Sequence, residues 1–306
     1  MTSLRMLIWC LLACCSLVAA ELQSGPPLPH RLVKDWAQLP VGWNFGECSG
    51  VDVDKEDNVW VFNRGPHKVI RFDKNGKFLG AWEDAPVVAS HGLRIDAEGN
   101  VWLVDQLGHA VLKCNRSGRV LMVIANPRGQ PGNDTARYAF NQPTGLTFTP
   151  NGDFYVSDGY VNSRVIKFNK DGEYLTHWGR KGTGDGEFNL VHDVCIDSRG
   201  RVYVADRTNA RVQIFDADGK FLGKWTDVGA PWGLYYVARE NAIYMADGGN
   251  NRVVKLNLDG QVLGVLGGFG KTPGKFDFAH NIAVDSSGAI YVVEIKNWRV
   301  QKFALK

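Results

Sequence analysis

The chain has 306 residues, 44% of them hydrophobic and 35 of them glycine, which supports one large core and gives no sign of disorder. A formal charge of +3 is too small to suggest a nucleic-acid partner. Three of the six cysteines lie in the first 20 residues, and Cys48, Cys114 and Cys195 allow at most one internal disulfide and form no CxxC pair, so neither a disulfide scaffold nor a thiolate zinc site is indicated.

Residues 1 to 20, MTSLRMLIWCLLACCSLVAA, carry one cation, Arg5, then an apolar stretch, then Val18-Ala19-Ala20 as a small-residue cleavage site. They read as a secretion signal, giving a secreted or periplasmic protein. Leu11-Leu12-Ala13-Cys14 loosely resembles a lipoprotein box, so lipidation at Cys14 is the alternative. No later segment approaches the roughly 20 apolar residues of a membrane span. Residues 21 to 30 are expected to be a linker, and 31 to 306 a single domain and a monomer.

The rest of the chain repeats itself. GLTFTPNGDFYVSDGYVNSRVIKFNKDGEYLTHWG (145 to 179) and DVCIDSRGRVYVADRTNARVQIFDADGKFLGKW (193 to 225) each predict strand, turn, strand, loop, strand, turn, strand, with Asn-Gly, Asp-Gly or Arg-Gly at the turns. Weaker copies begin at Gly50, Gly92, Gly233 and Asn281, so the six starts are separated by 42, 53, 48, 40 and 48 residues. Four-stranded units of this period predict an all-β, six-bladed β-propeller. The last unit ends near Phe303 one strand short. Leu32 to Trp36 resembles the outer strands KFLGAW (77 to 82) and KFLGKW (220 to 225), and is predicted to complete the sixth blade and remove the exposed edges. The columns Asn162, Asn209, Asn250, Asn297 and Arg164, Arg211, Arg252, Arg299, followed by an apolar residue and, in the first three pairs, a D/N-x-D-G turn, resemble NHL repeats and are read as scaffold.

The residue just before each predicted first strand reads Ser49, His91, Thr144, His192, Trp232, His280. Histidine occupies every second blade, which for 7 histidines in 306 positions arises by chance about once in 10⁵ for three given sites. First strands line the central channel, and blades two apart lie about 120° around it, so three imidazoles are expected to converge on the axis. Three neutral imidazoles with an open fourth position suit zinc, and nickel, copper or iron could bind such a site. His30, His67, His109 and His177 lie outside the column and are read as surface or packing residues.

Strand parity opens the loop after each second strand beside the histidines. One column there reads Arg64, Gln106, Gly159, Arg207, Gly248, Ile295, and the next includes Tyr160. Arginine clamps a carboxylate bidentately, and a phenol stabilised by positive charge becomes a feasible base. Together they describe a site for an anionic, oxygen-bearing substrate. The acidic column Asp105, Asp158, Asp206, Asp247, Glu294 recurs in five blades and is read as repeat architecture.

The runs SGVDVDKEDNVWVFNRG (49 to 65), SHGLRID (90 to 96), QPTGLTFTPNGDFYVSDGYVNSR (142 to 164), GEFNLVHD (186 to 193), VADRTNARVQIF (204 to 215) and KFDFAHN (275 to 281) resemble, in order, the peptidyl-α-hydroxyglycine α-amidating lyase domain. The resemblance implies zinc on His91, His192 and His280, Tyr160 as catalytic base, and Arg64 and Arg207 as active-site arginines. It implies cleavage of a peptide or N-acyl substrate ending in α-hydroxyglycine, with a C-terminal carboxylate, to an amide and glyoxylate. It also implies a structural calcium on the carbonyls of Val51 and Leu93 and the side chain of Asn281, where the family has aspartate. Phe278 stands where the family has methionine. Asn141 with Val161, and Tyr203 with Ile214, replace the cysteine pairs of the animal enzymes. A partner monooxygenase domain is not expected within a chain that one propeller uses up. Two other readings are carried with the lyase: a non-catalytic NHL propeller binding a protein or cell-wall partner, and a calcium-dependent lactonase or esterase. Asn115-Arg116-Ser117 and Asn133-Asp134-Thr135 are glycosylation acceptors if the chain follows a eukaryotic secretory route.

Overall fold

The computed structural model describes residues 21–306; the expected leader, with Cys14, lies outside the described residues. Six four-stranded antiparallel sheets form a ring. Their first strands are Cys48–Val53, Ser90–Ile95, Pro143–Phe148, Val191–Ile196, Pro231–Val237 and Ala279–Val284. These strands pack on one another in sequence, and the sixth packs back on the first. No helix among the described residues is long and apolar enough to cross a membrane.

The strand pattern follows from where each strand lies. Second strands such as Val59–Asn63 and Val202–Asp206 are buried along their length, because both faces of a blade are covered by neighbours. Outer strands alternate, as in Phe221–Trp225, because one face meets water. Six apolar clusters fill the ring, each made by two adjacent blades; Trp102, Val104, Phe154 and Val156, for example, join blades two and three. Cys48, Cys114 and Cys195 are buried free thiols, so packing carries the stability among the described residues.

The strand closing blade six is His30–Val33, paired antiparallel with Arg299–Leu305, two residues upstream of the predicted Leu32–Trp36. Trp36 leaves the sheet to lie between blades six and one, its ring 5.4 Å from Phe72 and 5.1 Å from Tyr291, and its Nε1–H donating to Lys74 O at 3.0 Å. Gly76 makes this seat possible: its φ is +88°, and a Cβ there would fall on Trp36 O. The expected linker is docked. Leu28 N donates to Val265 O, Val265 N donates to Pro26 O, and Leu28 is buried on the outer edge of blade five.

The acidic and Asn/Arg columns hold the loops, as their recurrence suggests. Asp206 accepts from Asn209 Nδ2, Arg211 Nε and the amide of Asn189, while Arg211 also reaches the carbonyls of Thr183, Gly184 and Glu187. A buried carboxylate and guanidinium thus satisfy each other and the turn entering the blade.

Candidate metal centre

Each channel-lining residue is the second of its strand, not the residue before it, and each sits at a break in pairing register, such as Ser90/Leu93, Val191/Val194 and Ala279/Asn281. A bulge leaves that residue unpaired and re-aims its side chain. The three imidazoles consequently face one another, with ring centroids 4.9, 4.8 and 4.8 Å apart, and one ligand nitrogen of each lies within 4.8 Å of the others.

The three blades without histidine supply what the imidazoles need. Nδ1 of His91 lies 2.6 Å from Thr144 O, Nδ1 of His192 lies 2.6 Å from Trp232 O, and Nδ1 of His280 lies 2.7 Å from Ser49 O. A carbonyl only accepts, so Nδ1 carries the proton and each Nε2 presents a lone pair to the axis. Burial first, then the neighbouring imidazoles and Arg207, with Arg64 as well at His91, holds His91 and His192 well below the ordinary imidazole value, and burial with Arg64 and Arg207 holds His280 at about 3. Three neutral, buried nitrogen donors fit a divalent metal of the zinc class.

Tyr160 reaches the same point. Its hydroxyl lies 3.2 Å from His91 Nε2 and 3.4 Å from His192 Nε2. Burial pushes the phenol above its ordinary pKa, opposed by Arg207 and Arg64, so the arginines alone do not make it a ready base. The loop bearing Tyr160 is one residue longer than its counterparts, and Tyr160 therefore takes the register of Arg207. The Tyr160 amide donates to Gln142 O as that of Arg207 donates to Leu190 O. Gln142 and Leu190 have φ of +62° and +70°, a strained conformation that turns these carbonyls toward the loop.

The two arginines differ. Arg64 is committed: Nη1 donates to Glu47 Oε2 at 2.7 Å, Nε to Ser90 O at 3.1 Å and Nη2 to Gln106 Oε1 at 3.5 Å. Arg207 has no carboxylate partner among the described residues. Its guanidinium lies 4.3 Å from the Trp232 ring centroid and 5.6 Å from that of Tyr160, and burial lowers its pKa. Sequence reasoning passed over Trp232, although it stood in the histidine column; its ring lies 5.1 Å from His192 and 5.6 Å from His280. Phe278 packs edge-on against Trp232 at 4.9 Å, with Lys296 Nζ 4.3 Å from the Phe278 ring. Glu47 was also missed, and no repeat marks it.

The expected calcium ligands hold something else. Arg94 Nη1 donates to Val51 O at 3.3 Å, Leu93 O at 3.1 Å and Asn281 Oδ1 at 3.0 Å. A guanidinium already occupies the space among those oxygens, so this donor set does not fit the six to eight oxygens calcium takes. The oxygens expected to hold calcium, on Val51, Leu93 and Asn281, thus face an internal guanidinium instead. His30, His67, His109 and His177 make packing and hydrogen-bond contacts; His67, for example, stacks on Trp43 at 3.3 Å.

The NHL repeat pattern matches residues 140–168 and 188–215, in blades three and four. NHL repeat-containing protein 3 of Homo sapiens is 33% identical over 211 residues, 65% of this chain and 60% of the human protein. Peptidyl-alpha-hydroxyglycine alpha-amidating lyase 1 of Drosophila melanogaster is 26% identical over 303 residues, 90% of this chain and 47% of that protein. The chain thus spans less than two thirds of either relative. A streptogramin B lyase structure superposes with a TM-score of 0.66 at 13% identity, covering 90% of this chain and 98% of that one, a likeness of fold. Two blades carry the matched NHL repeat pattern and six blades close one ring, so this chain is a six-bladed β-propeller that contains NHL repeats.

Proposed function

We propose that the chain is a zinc-dependent carbon–nitrogen lyase that converts a peptidyl- or N-acyl-α-hydroxyglycine to an amide and glyoxylate. The observation that carries this reading is the convergence of three neutral Nε2 atoms, the Tyr160 hydroxyl and the carboxylate-free Arg207 on one point of the axis. Similarity to proteins named as an alpha-amidating lyase and an alpha-amidating monooxygenase supports it. A secretory route is part of this proposal, on the strength of the leader-like sequence of residues 1 to 20.

Zinc on His91, His192 and His280 would supply positive charge that lowers the pKa of a substrate hydroxyl and of the neighbouring phenol. Arg207 is the group to hold the substrate carboxylate, since Arg64 is already paired with Glu47. Tyr160, as phenolate, takes the proton of the α-hydroxyl; the O–H electron pair becomes the second bond of the aldehyde, the C–N bond breaks, and the phenol returns the proton to the departing amide nitrogen. Atoms and charge balance without water or an oxidant. Trp232 and Phe278 wall the site and restrict water.

The test incubates metal-loaded protein with an N-acyl-α-hydroxyglycine and measures glyoxylate. Release that is lost in His192→Ala supports the reading. No release above that control removes it and leaves the non-catalytic propeller.

A further inference from the structure

We propose that the Arg94 guanidinium is the propeller's built-in axial cation, replacing a metal ion beneath the histidine ring and positioning the strands that carry the ligands. This inference goes beyond the lyase reading and requires only that the three histidines hold a metal.

The residue after each channel-lining position is Gly50, Gly92, Gly145, Asp193, Gly233 or Asn281. Glycine recurs because the first strands crowd the axis: a Cβ on Gly145 would lie 2.3 Å from Asp193 Oδ1. The two exceptions follow His192 and His280 directly, and both turn their side chains to Arg94. Nη1 donates to Asn281 Oδ1 and to the carbonyls of Val51 and Leu93; Nη2 donates to Asp193 Oδ2 and Leu234 O, each at 3.0 Å. One side chain therefore bonds blades one, four, five and six from its own seat in blade two.

Charge matches geometry. Arg94 has a side chain only 9% exposed and pairs with Asp193, at 1%, while Asn281 offers a neutral oxygen. Asp52, also buried, is a second carboxylate close enough to act on the guanidinium, though only Asp193 bonds it. The group bonded directly to Arg94 is thus one carboxylate and neutral oxygens, which suits a monovalent cation better than a divalent ion lacking a carboxylate at position 281. The amide at 281 and the guanidinium from position 94 thus belong together. Because Leu93, Asp193, Asn281 and Arg94 itself lie one to three residues along the strands from His91, His192 and His280, the knot fixes where those imidazoles stand. Groups hydrogen-bonded to metal ligands carry about 10- to 100-fold in metal affinity, and Arg94, which acts on the ligands through the backbone rather than by touching an imidazole, is expected at the lower end of that range.

Thermal unfolding and zinc affinity, by competition with a chromophoric chelator, test this with full-length protein. The wild-type melting temperature should not move with EGTA or with millimolar calcium. Arg94→Lys keeps the charge but loses the fork, and should bind zinc about tenfold or more weakly. Arg94→Ser combined with Asn281→Asp opens an oxygen cage, and millimolar calcium should raise its melting temperature by about 5 °C. A calcium- or EGTA-dependent wild type, or Arg94→Lys with unchanged zinc affinity, overturns the proposal. Should Arg94→Lys fail to fold, a calcium-responsive double variant upholds it and an unresponsive one overturns it. Because none of these readouts uses turnover, failure here is distinct from absence of lyase activity.

Discussion

Replacing Arg207 by methionine removes a charged fork while keeping a chain long enough to cover Trp232. The guanidinium lies 4.3 Å from that ring and pairs with no carboxylate among the described residues, so a substrate carboxylate would be its principal anionic partner. Truncating one side of a buried charge pair costs about 2–5 kcal/mol, and at about 1.36 kcal/mol per decade this lowers kcat/KM by roughly 30- to 5,000-fold. Arg64→Met should cost about tenfold or less, because Arg64 already spends Nη1 on Glu47 and Nε on Ser90 O. Steady-state glyoxylate formation from an N-acyl-α-hydroxyglycine, and formation of the amide from the neutral α-hydroxyglycinamide analogue, separates binding of the carboxylate from other effects. Wild type should prefer the acid, and Arg207→Met should lose that preference. An equal loss on both substrates, or a larger loss at Arg64, refutes the assignment of Arg207 to the carboxylate.

Tyr160→Phe should retain bound metal, since three imidazoles hold it, yet lose about 10²- to 10⁴-fold in kcat; metal analysis beside the glyoxylate assay checks both, and activity near wild type would sink the role. Acid should weaken the metal-free ring. With His280 held near 3 in the folded chain and about 6.5 unfolded, its contribution is complete above pH 6.5 and is lost as pH falls toward 3. At pH 5 this one group lowers stability by about 2 kcal/mol relative to pH 8, and His91 and His192 act in the same direction. Urea unfolding at the two pH values, repeated with His280→Gln, measures it, and no change in the pH dependence would be the contrary result.

The ring and its histidines were legible because both are periodic. A repeat of 40 to 53 residues aligns six strands on a channel, and three histidines in alternate copies then have one place to meet. Features that break the period were read less well. The closing strand came two residues early because Trp36, which resembles the aromatic end of an outer strand, turns inward to pack on Phe72 and Tyr291. Residues 21 to 30 read as a linker from composition, but Leu28 finds a seat on blade five that no local pattern encodes. The unequal standing of Arg64 and Arg207 rests on Glu47, which lies in a loop outside the repeat columns.

Arg94 shows the same limit most sharply, because its partners are 43, 99, 140 and 187 residues away. Reading position 281 alone suggests a weakened calcium site; reading 94 and 281 together suggests a site for a different cation. The pairing also gives the hub a direction. The imidazoles stand at the start of the first strands, beside the loops that bear Tyr160 and Arg207, while Arg94 and Asp193 close the channel one to three residues deeper. Six blades make this division possible, since three can bring ligands while the alternate three supply the carbonyls of Thr144, Trp232 and Ser49 that fix the imidazole tautomers. A metal at the hub would therefore meet a guest on the side that bears Tyr160 and Arg207, with the Arg94–Asp193 pair lying on the other.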